Sequence, residues 1–215
     1  MRWALLEILQ EEDRRRLLSL AVRRRFAKGE VLFHEGDPGD SLHLVAKGHL
    51  AARATTPLGD VATTRVFQPG DFFGELAILS PGPRNATVVA LEPAETLVLH
   101  GAHLEGLRSD HTGVDGVLVH ALVAEVRRLS AALVEALYLP VEKRLWRRLL
   151  ELSEMYGEAP PIKIPLTQED LAQLAGTTRP TANRILRDAE QSGVISIGRG
   201  RVDVLDVETV RRKAR

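Results

Sequence analysis

The chain has 215 residues and no cysteine, and its 29 Lys and Arg balance 29 Asp and Glu. That length allows one large or two small domains, and the missing thiols exclude disulfides, thiol catalysis and cysteine-ligated zinc or iron–sulfur centres. The zero net charge hides an asymmetry: residues 141–215 carry 14 basic against 11 acidic side chains, a mildly basic end that suits a nucleic-acid contact.

From Trp3 to Leu20, residues Leu5, Leu6, Leu9, Leu17 and Leu18 fall at helical spacing, broken around Glu11 to Asp13. This predicts one or two short helices. Their interleaved charges are unlike the apolar core of a signal peptide, and no apolar run approaches bilayer-spanning length. A cytoplasmic protein without a membrane partner is expected. Arg14 to Arg16 and Arg23 to Arg25 read as solvated basic faces.

From Phe26 to Leu99 the texture changes to short apolar runs punctuated by Gly29, Gly36, Pro38–Gly39, Gly48, Gly59, Pro69–Gly70, Gly82 and Pro93. Regular turns with Val, Leu and Phe between them predict an antiparallel barrel or sandwich. Val31 to Phe33 leads into a turn at His34 to Asp40, and Leu42 to Val45 leads into Lys47–Gly48.

Within this region, FFGELAILSPGPRNATVVA (Phe72 to Ala90) sets Glu75 nine positions before Arg84. Arginine offers a planar fork of donors to phosphate oxygens, and a carboxylate accepts from a ribose hydroxyl. Backbone N–H groups of Glu75, Leu76 and Ala77, at the start of a short helix, would add partial positive charge. On spacing alone, a surface ion pair flanking a turn fits equally well.

F-G-E-L-A followed by P-R-x-A-T-V resembles the phosphate-binding cassette of the cyclic-nucleotide-binding domain. KGEVLFHEGDPGDSLHLVAKGHL is similar to the glycine-turn signature of that domain's jelly roll, which the cassette separates from a cupin-like barrel. The resemblance implies a cyclic-nucleotide effector, with cyclic AMP foremost, held by Gly74, Glu75, Leu76, Ala77, Arg84, Asn85 and Ala86. Glu75 would take the ribose and Arg84 the cyclic phosphate. Asn85 departs from the Ser, Thr or Ala that follows this arginine in relatives, although its amide can still donate to phosphate.

Val114 to Leu137 has no Pro and no Gly after Gly116. Val119, Leu122, Val126, Leu129, Leu133 and Ala136 recur at alternating steps of three and four, a heptad seam. A helix lying on its own barrel fits this pattern, and so does a seam between two chains. The family resemblance implies the second, with Leu122, Val126, Leu129 and Leu133 at a homodimer interface. It also implies that this helix reaches the base, and its register puts Arg127 and Ser130 near that position, without the adjacent Thr-Ser pair that reads adenine. Pro140 ends the helix. Val141 to Met155 then carries Leu145, Leu149 and Leu152 on one face, and GEAPP from Gly157 reads as a loop.

The last 50 residues predict two helices and a hairpin. Thr167 with Asp170 forms a capping-box pattern before Gln168 to Ala175. A turn at Gly176–Thr177 precedes Thr178, an N-cap for Arg179 to Gln191. Ala172, Gly176, Ala182 and Ile185 fall where a helix-turn-helix wants a small residue, a positive-φ turn and two apolar contacts. Val194 to Ile197 and Val202 to Val204 read as a β-hairpin wing with Arg199 and Arg201 at its tip. An ordinary αα-hairpin would share much of this. Against it, Arg179, Thr181, Asn183, Arg184 and Arg187 crowd the start of the second helix, where base edges are met.

TQEDLAQLAGTTRPTANRILRDAEQSGVI resembles the winged helix-turn-helix of the cyclic-AMP receptor and fumarate-nitrate regulator family. The two motifs and the linking helix run through nearly the whole chain in that family's order. The expected fold is α+β: an effector domain over residues 1–113, a dimerisation helix and hinge over 114–139, and a winged helix-turn-helix over 140–215. The resemblance implies a ligand-switched homodimeric transcription regulator that binds palindromic double-stranded DNA, with RNA polymerase a further candidate partner. Thr167, Thr178, Arg179, Pro180, Thr181, Asn183, Arg184, Arg187, Arg199 and Arg201 would contact DNA. Pro180 replaces a base-reading glutamate. A regulator with another effector or none, and a nucleotide-sensing module without DNA, remain alternatives. His43, His49, His100, His103, His111 and His120 could serve haem, but they lack paired ligand spacing, so no metal is expected. No nucleophile–base pair or phosphate loop suited to catalysis occurs, so an enzyme is not expected.

Overall fold

The computed structural model describes residues 3–7, 9–80, 82–110 and 112–215. In chain order the elements are α1 (Ala4–Glu7), α2 (Glu11–Leu20), β1 (Val22–Phe26), β2 (Val31–Phe33), β3 (Ser41–Lys47), β4 (Leu50–Thr55), β5 (Val61–Phe67), β6 (Phe72–Phe73), α3 (Leu76–Leu79), β7 (Thr87–Ala90) and β8 (Ala94–His100). Then follow α4 (Gly101–Asp110), α5 (Thr112–Tyr138), α6 (Val141–Tyr156), β9 (Ile162–Ile164), α7 (Gln168–Ala175), α8 (Arg179–Gln191), β10 (Ile195–Gly198), β11 (Arg201–Val204) and α9 (Val207–Ala214). The chain divides into two compact units, one of Met1–Ala54 with Arg65–Leu129, the other of Thr55–Thr64 with Ser130–Arg215. No helix among the described residues is long and apolar enough to cross a membrane.

The first unit is built on two four-stranded sheets, ordered β1-β8-β3-β6 and β2-β7-β4-β5. Period-two alternation decides which side chains fill the space between them. Phe26, Val45, Leu50, Phe67, Phe73, Val88 and Ala90 form the core between the sheets. Leu42, Leu44 and Leu99 belong to a second core, packed against Trp3, Leu5, Leu6, Leu9 and Leu17 of the N-terminal segment and Val114 and Leu118 of α5. Trp3 locks this cap in place by donating its indole N–H to the Val45 carbonyl at 3.0 Å. Strand β3 is therefore buried on both faces.

The basic triplet Arg23 to Arg25 is not one solvated face. It lies in β1, paired antiparallel with β8. Arg23 and Arg25 both bond the Glu95 carboxylate, while Arg24, between them, turns to the opposite face.

In the second unit, α6 packs on α7 and α9 through buried Leu145, Trp146, Leu149 and Leu152. The wing has three strands where two were expected. Strand β9 joins β11 antiparallel, Ile164 opposite Val202 and Ile162 opposite Val204, and β11 pairs with β10. A three-residue strand carries almost no periodic signal of its own, and β9 exists because β11 offers it a ladder.

Candidate functional site

The segment around Arg84 is fastened by backbone bonds to the β2–β3 turn. Gly36 N–H donates to Arg84 O at 2.9 Å and Arg84 N–H donates to Asp37 O at 2.8 Å, beside a bridge between Pro38 and Pro83. Glycine is required twice here. A Cβ on Gly39 would lie 2.3 Å from the Ala77 Cβ, and one on Gly74 would meet Arg84 Nη1 and the Ser41 carbonyl, each at 2.7 Å. Gly74 also has φ +90°, which favours glycine.

Arg84 is only 5% exposed. Its Nη1 donates to Ser41 O at 2.8 Å and more weakly to Gly74 O at 3.4 Å, and its Nη2 donates to Ser41 Oγ at 2.9 Å. The guanidinium carbon sits 4.2 Å from the Phe33 ring centroid, a cation–π contact. Burial lowers the Arg84 pKa, and the carboxylates of Asp40, Asp37 and Glu75 oppose that shift. The surface ion pair that spacing alone allowed is thus not what forms: among the described residues no ion pair joins Arg84 to Glu75.

Glu75 is half-buried at the N-cap position of α3, in helical conformation. Leu76 is exposed and Ala77 buried, and beyond Arg84, Asn85 is exposed and Ala86 buried. Burial pushes the Glu75 carboxyl above its usual range, while a backbone hydrogen bond, Arg65 and Arg84 pull it down and Glu125 pushes it up. The folded state therefore favours the neutral carboxyl. Stability falls as pH rises from the unfolded pKa through the higher folded one. Glu75→Gln should accordingly raise the unfolding temperature at about pH 7, with the gain fading near about pH 4, where both states hold the proton. Thermal scans at the two pH values check this, and equal differences at both would sink it.

Helix α5 meets β5 through an ion pair at Glu125. Glu125 accepts from Arg65 Nη1 at 2.9 Å and from Arg128 at 2.9 and 2.6 Å. Arg127 and Ser130 are both exposed. Glu125 and Arg128, three residues apart on one helix face, had no sequence signal separating them from other charged positions on α5.

Further along α5, Val126, Leu133 and Leu137 are 63%, 60% and 66% exposed, and Leu129 is 47% exposed. Leu122 is half-buried. These residues leave an exposed apolar stripe along α5.

In the second unit Thr167 and Asp170 form the expected capping box, Thr167 N–H donating to Asp170 Oδ2 at 2.8 Å and Asp170 N–H to Thr167 Oγ1 at 3.1 Å. Thr178 departs from expectation. It occupies the N-cap position of α8, but makes no side-chain cap and instead shares a hydroxyl hydrogen bond with Thr181 at 3.1 Å. Pro180 is accommodated in the first turn, where its missing N–H costs nothing. Gly176 turns the chain at φ +60° and its N–H reaches back to Ala172 O.

Arg179, Pro180, Arg184, Arg187, Arg199 and Arg201 are all exposed, and neither Arg179 nor Arg184 has a hydrogen-bond or ion-pair partner among the described residues. Asn183 is more constrained. Its amide donates to Gln168 Oε1 of α7 and accepts from Arg187 Nε at 3.0 Å, so it ties the two helices together. Thr167, Gln168, Arg179, Gly198, Gly200 and Arg201 line a cleft of about 370 Å³ where the starts of α7 and α8 meet the wing turn.

Sequence reasoning missed Arg144. Its guanidinium donates to Ala175 O and Gly176 O, each at 3.0 Å, and to Ala136 O and Leu139 O, each at 3.2 Å. One side chain thus satisfies carbonyls at the C-terminal ends of both α5 and α7.

Compared with known proteins, residues 23–111 match the cyclic nucleotide-binding domain and residues 143–213 the Crp-like helix-turn-helix domain. The chain is 30% identical over 194 residues to the CRP-like cAMP-activated global transcriptional regulator of Mycobacterium tuberculosis, covering 88% of this chain and 87% of that protein. It is 32% identical over 191 residues to the cyclic AMP receptor protein of Thermus thermophilus, covering 87% and 85%. The chain belongs to the CRP/FNR family. A solved structure of the c-di-GMP responsive global regulator CLP from Xanthomonas campestris superposes with a TM-score of 0.76 at 20% identity, covering 91% of this chain and 99% of that one, a likeness of fold. As a CRP/FNR regulator the protein joins a β-rich cyclic-nucleotide-binding domain, a long helix and a C-terminal helix-turn-helix, an α+β architecture, and it is a DNA-binding transcription regulator. The family is one of regulators rather than enzymes. Among the described residues no group of three or more His, Cys, Asp or Glu is placed to hold a metal ion. His43 and His49 are buried, and His111 lies outside the described residues.

Proposed function

We propose that this regulator is a homodimer switched by a cyclic nucleotide, cyclic AMP foremost, bound between Glu75 and Arg84. The observation that carries the reading is Arg84: a buried guanidinium at the cassette spacing, held by carbonyl and hydroxyl acceptors that phosphate oxygens can replace. Charge-assisted bonds to phosphate are the stronger kind, so the exchange favours a bound anion. Glu75 takes the ribose hydroxyl in its ionised form, and a ligand that stabilises that form opposes the upward push of burial on its pKa. The cAMP-activated relative supports cyclic AMP as the effector. Calorimetric titration with cyclic AMP and cyclic GMP tests it. Saturable binding of one nucleotide per chain is expected, and no binding of either would leave a DNA-binding regulator with another effector or none.

In this reading residues 1–113 sense the ligand, 114–139 join two chains and 140–215 bind DNA. The exposed stripe through Val126, Leu129 and Leu133 makes the two-fold interface. Ligand binding biases the helix pair only by its differential affinity for two arrangements of it. Two recognition helices related by the two-fold axis would meet half-sites about 34 Å apart.

Arg179 and Arg184 have free guanidiniums on the exposed face of α8 and can bond guanine O6 and N7 together. Thr167, Arg187, Arg199 and Arg201 would contact the phosphate backbone. Pro180 offers no acceptor for a cytosine amine, so the base pair facing it is weakly selected. Pro180→Glu should sharpen preference for a C·G pair there by about 1–3 kcal/mol. A binding-site selection on both proteins checks this, and identical preferences at every position would remove Pro180 from the groove.

A further inference from the structure

Arg84 lines a cavity that Glu75 does not. This cavity, about 510 Å³, opens between the two sheets at their β1 and β2 edges. Its apolar walls include Val22, Phe26, Leu32, Phe33 and Val98, and its polar groups include Arg24, Ser41, His43 and Arg84. The alternation of β1, β8 and β3 brings Arg24, Val98 and His43 to one face of their sheet. None of Gly74, Leu76 or the residues of α5 contributes to the lining.

Two guanidiniums, Arg24 and Arg84, and two carboxylates, Asp37 and Asp40, line this cavity. Arg24 and Arg84 each have no ion-pair partner among the described residues, and the buried Nε of Arg84 has no hydrogen-bond partner at all. Their charge reaches His43: burial, then Arg84, then Arg24 hold its pKa down to about 3, so it stays neutral. Neither carboxylate comes within ion-pair distance of either guanidinium among the described residues. The Asp37 carboxylate accepts from the His34 N–H at 2.7 Å, and Asp40, with its side chain 77% exposed, lies 3.7 Å from His100.

We propose that this cavity is a second effector site, taking a small organic anion whose single carboxylate or phosphate head meets Arg24 and Arg84 while a short apolar tail lies against Phe26, Leu32 and Phe33. A pocket of this size that sets convergent polar groups beside apolar walls suits a small ligand. An anion seated here would engage Arg84 without Glu75, which does not line the cavity. Resting on the cyclic-nucleotide reading above, the two ligands then compete for one guanidinium, and the second site antagonises the first.

Calorimetric titration of the full chain with hexanoate, hexyl phosphate, inorganic phosphate and hexanol tests the proposal. Hexanoate, hexyl phosphate or both should bind once per chain, and which head binds tighter identifies the carboxylate or the phosphate as the source. Inorganic phosphate and hexanol should bind at least about tenfold more weakly, for want of tail or charge. Arg24→Leu, an exposed position, should weaken binding about tenfold or more while leaving cyclic AMP affinity unchanged. Leu32→Trp should fill the cavity and abolish binding. No binding of either organic anion, or binding that both variants retain, overturns the site. Saturating organic anion should lower the apparent cyclic AMP affinity, and an unchanged affinity overturns the sharing of Arg84. A protein that binds the anions but no cyclic nucleotide would refute the primary effector reading and leave this one standing.

Discussion

Leu133→Glu is expected to convert the protein to a monomer and, with the two-fold symmetry gone, to remove most of its affinity for a palindromic site. Leu133 is 60% exposed in the single chain, with Val126 and Leu137 at least as open. A carboxylate there is solvated in the monomer, so the substitution leaves the fold of each chain intact. In a two-helix seam it would be buried opposite its own symmetry copy. Desolvating an unpaired charge costs several kcal/mol or more, and the symmetry doubles the penalty. That exceeds what the seam gains from a few Leu and Val contacts at about 1.5–3 kcal/mol each. Sedimentation velocity reads the oligomeric state directly. A dimer of undiminished stability would place the association surface elsewhere and leave the exposed stripe without a role.

The second large effect is at Arg84. Arg84→Ala should reduce cyclic-nucleotide affinity by a factor on the order of a hundred or more, since bonds to a charged group contribute about 1.5–3 kcal/mol each and the fork supplies two. The structure adds a consequence for the free protein. Arg84 is the donor to Ser41 O, Gly74 O and Ser41 Oγ, so its loss strands buried acceptors at about 1–3 kcal/mol each. The variant should therefore also unfold at a lower temperature, and affinity must be measured well below that transition. Arg84→Lys separates the effects: it keeps the charge and loses the planar fork, and should fall between wild type and alanine. A folded alanine variant that binds cyclic nucleotide normally would overturn the assignment.

Arg144 shows how the second unit converts side-chain chemistry into geometry. The end of α5 and the turn between α7 and α8 are held by the same guanidinium.

Much of the molecule was legible in its sequence, and the legible parts share a cause. The bounds of α7 and α8 follow from signals within a few residues: the Thr167–Asp170 box, the left-handed Gly176 and Pro180 in a first turn. The alternating apolar runs and glycine turns predict a β-rich domain, and F-G-E-L-A followed by P-R-x-A-T-V carries the resemblance to its family. Such features depend on local backbone preferences and on motifs read in order. What tertiary structure decided is which way long side chains point and which faces meet. Strand β9 forms because β11 pairs with it. Arg24 parts from Arg23 and Arg25 only because the triplet lies in a strand, whose side chains alternate between the two faces of its sheet. Glu125 meets Arg65 of β5 because the phase of α5 is set by Val114 and Leu118 in a core shared with Trp3 and Leu42. Arg84 turns to Ser41 and Phe33, since a buried guanidinium goes where acceptors and a ring face are offered, and those come from strands more than 40 residues earlier in the chain.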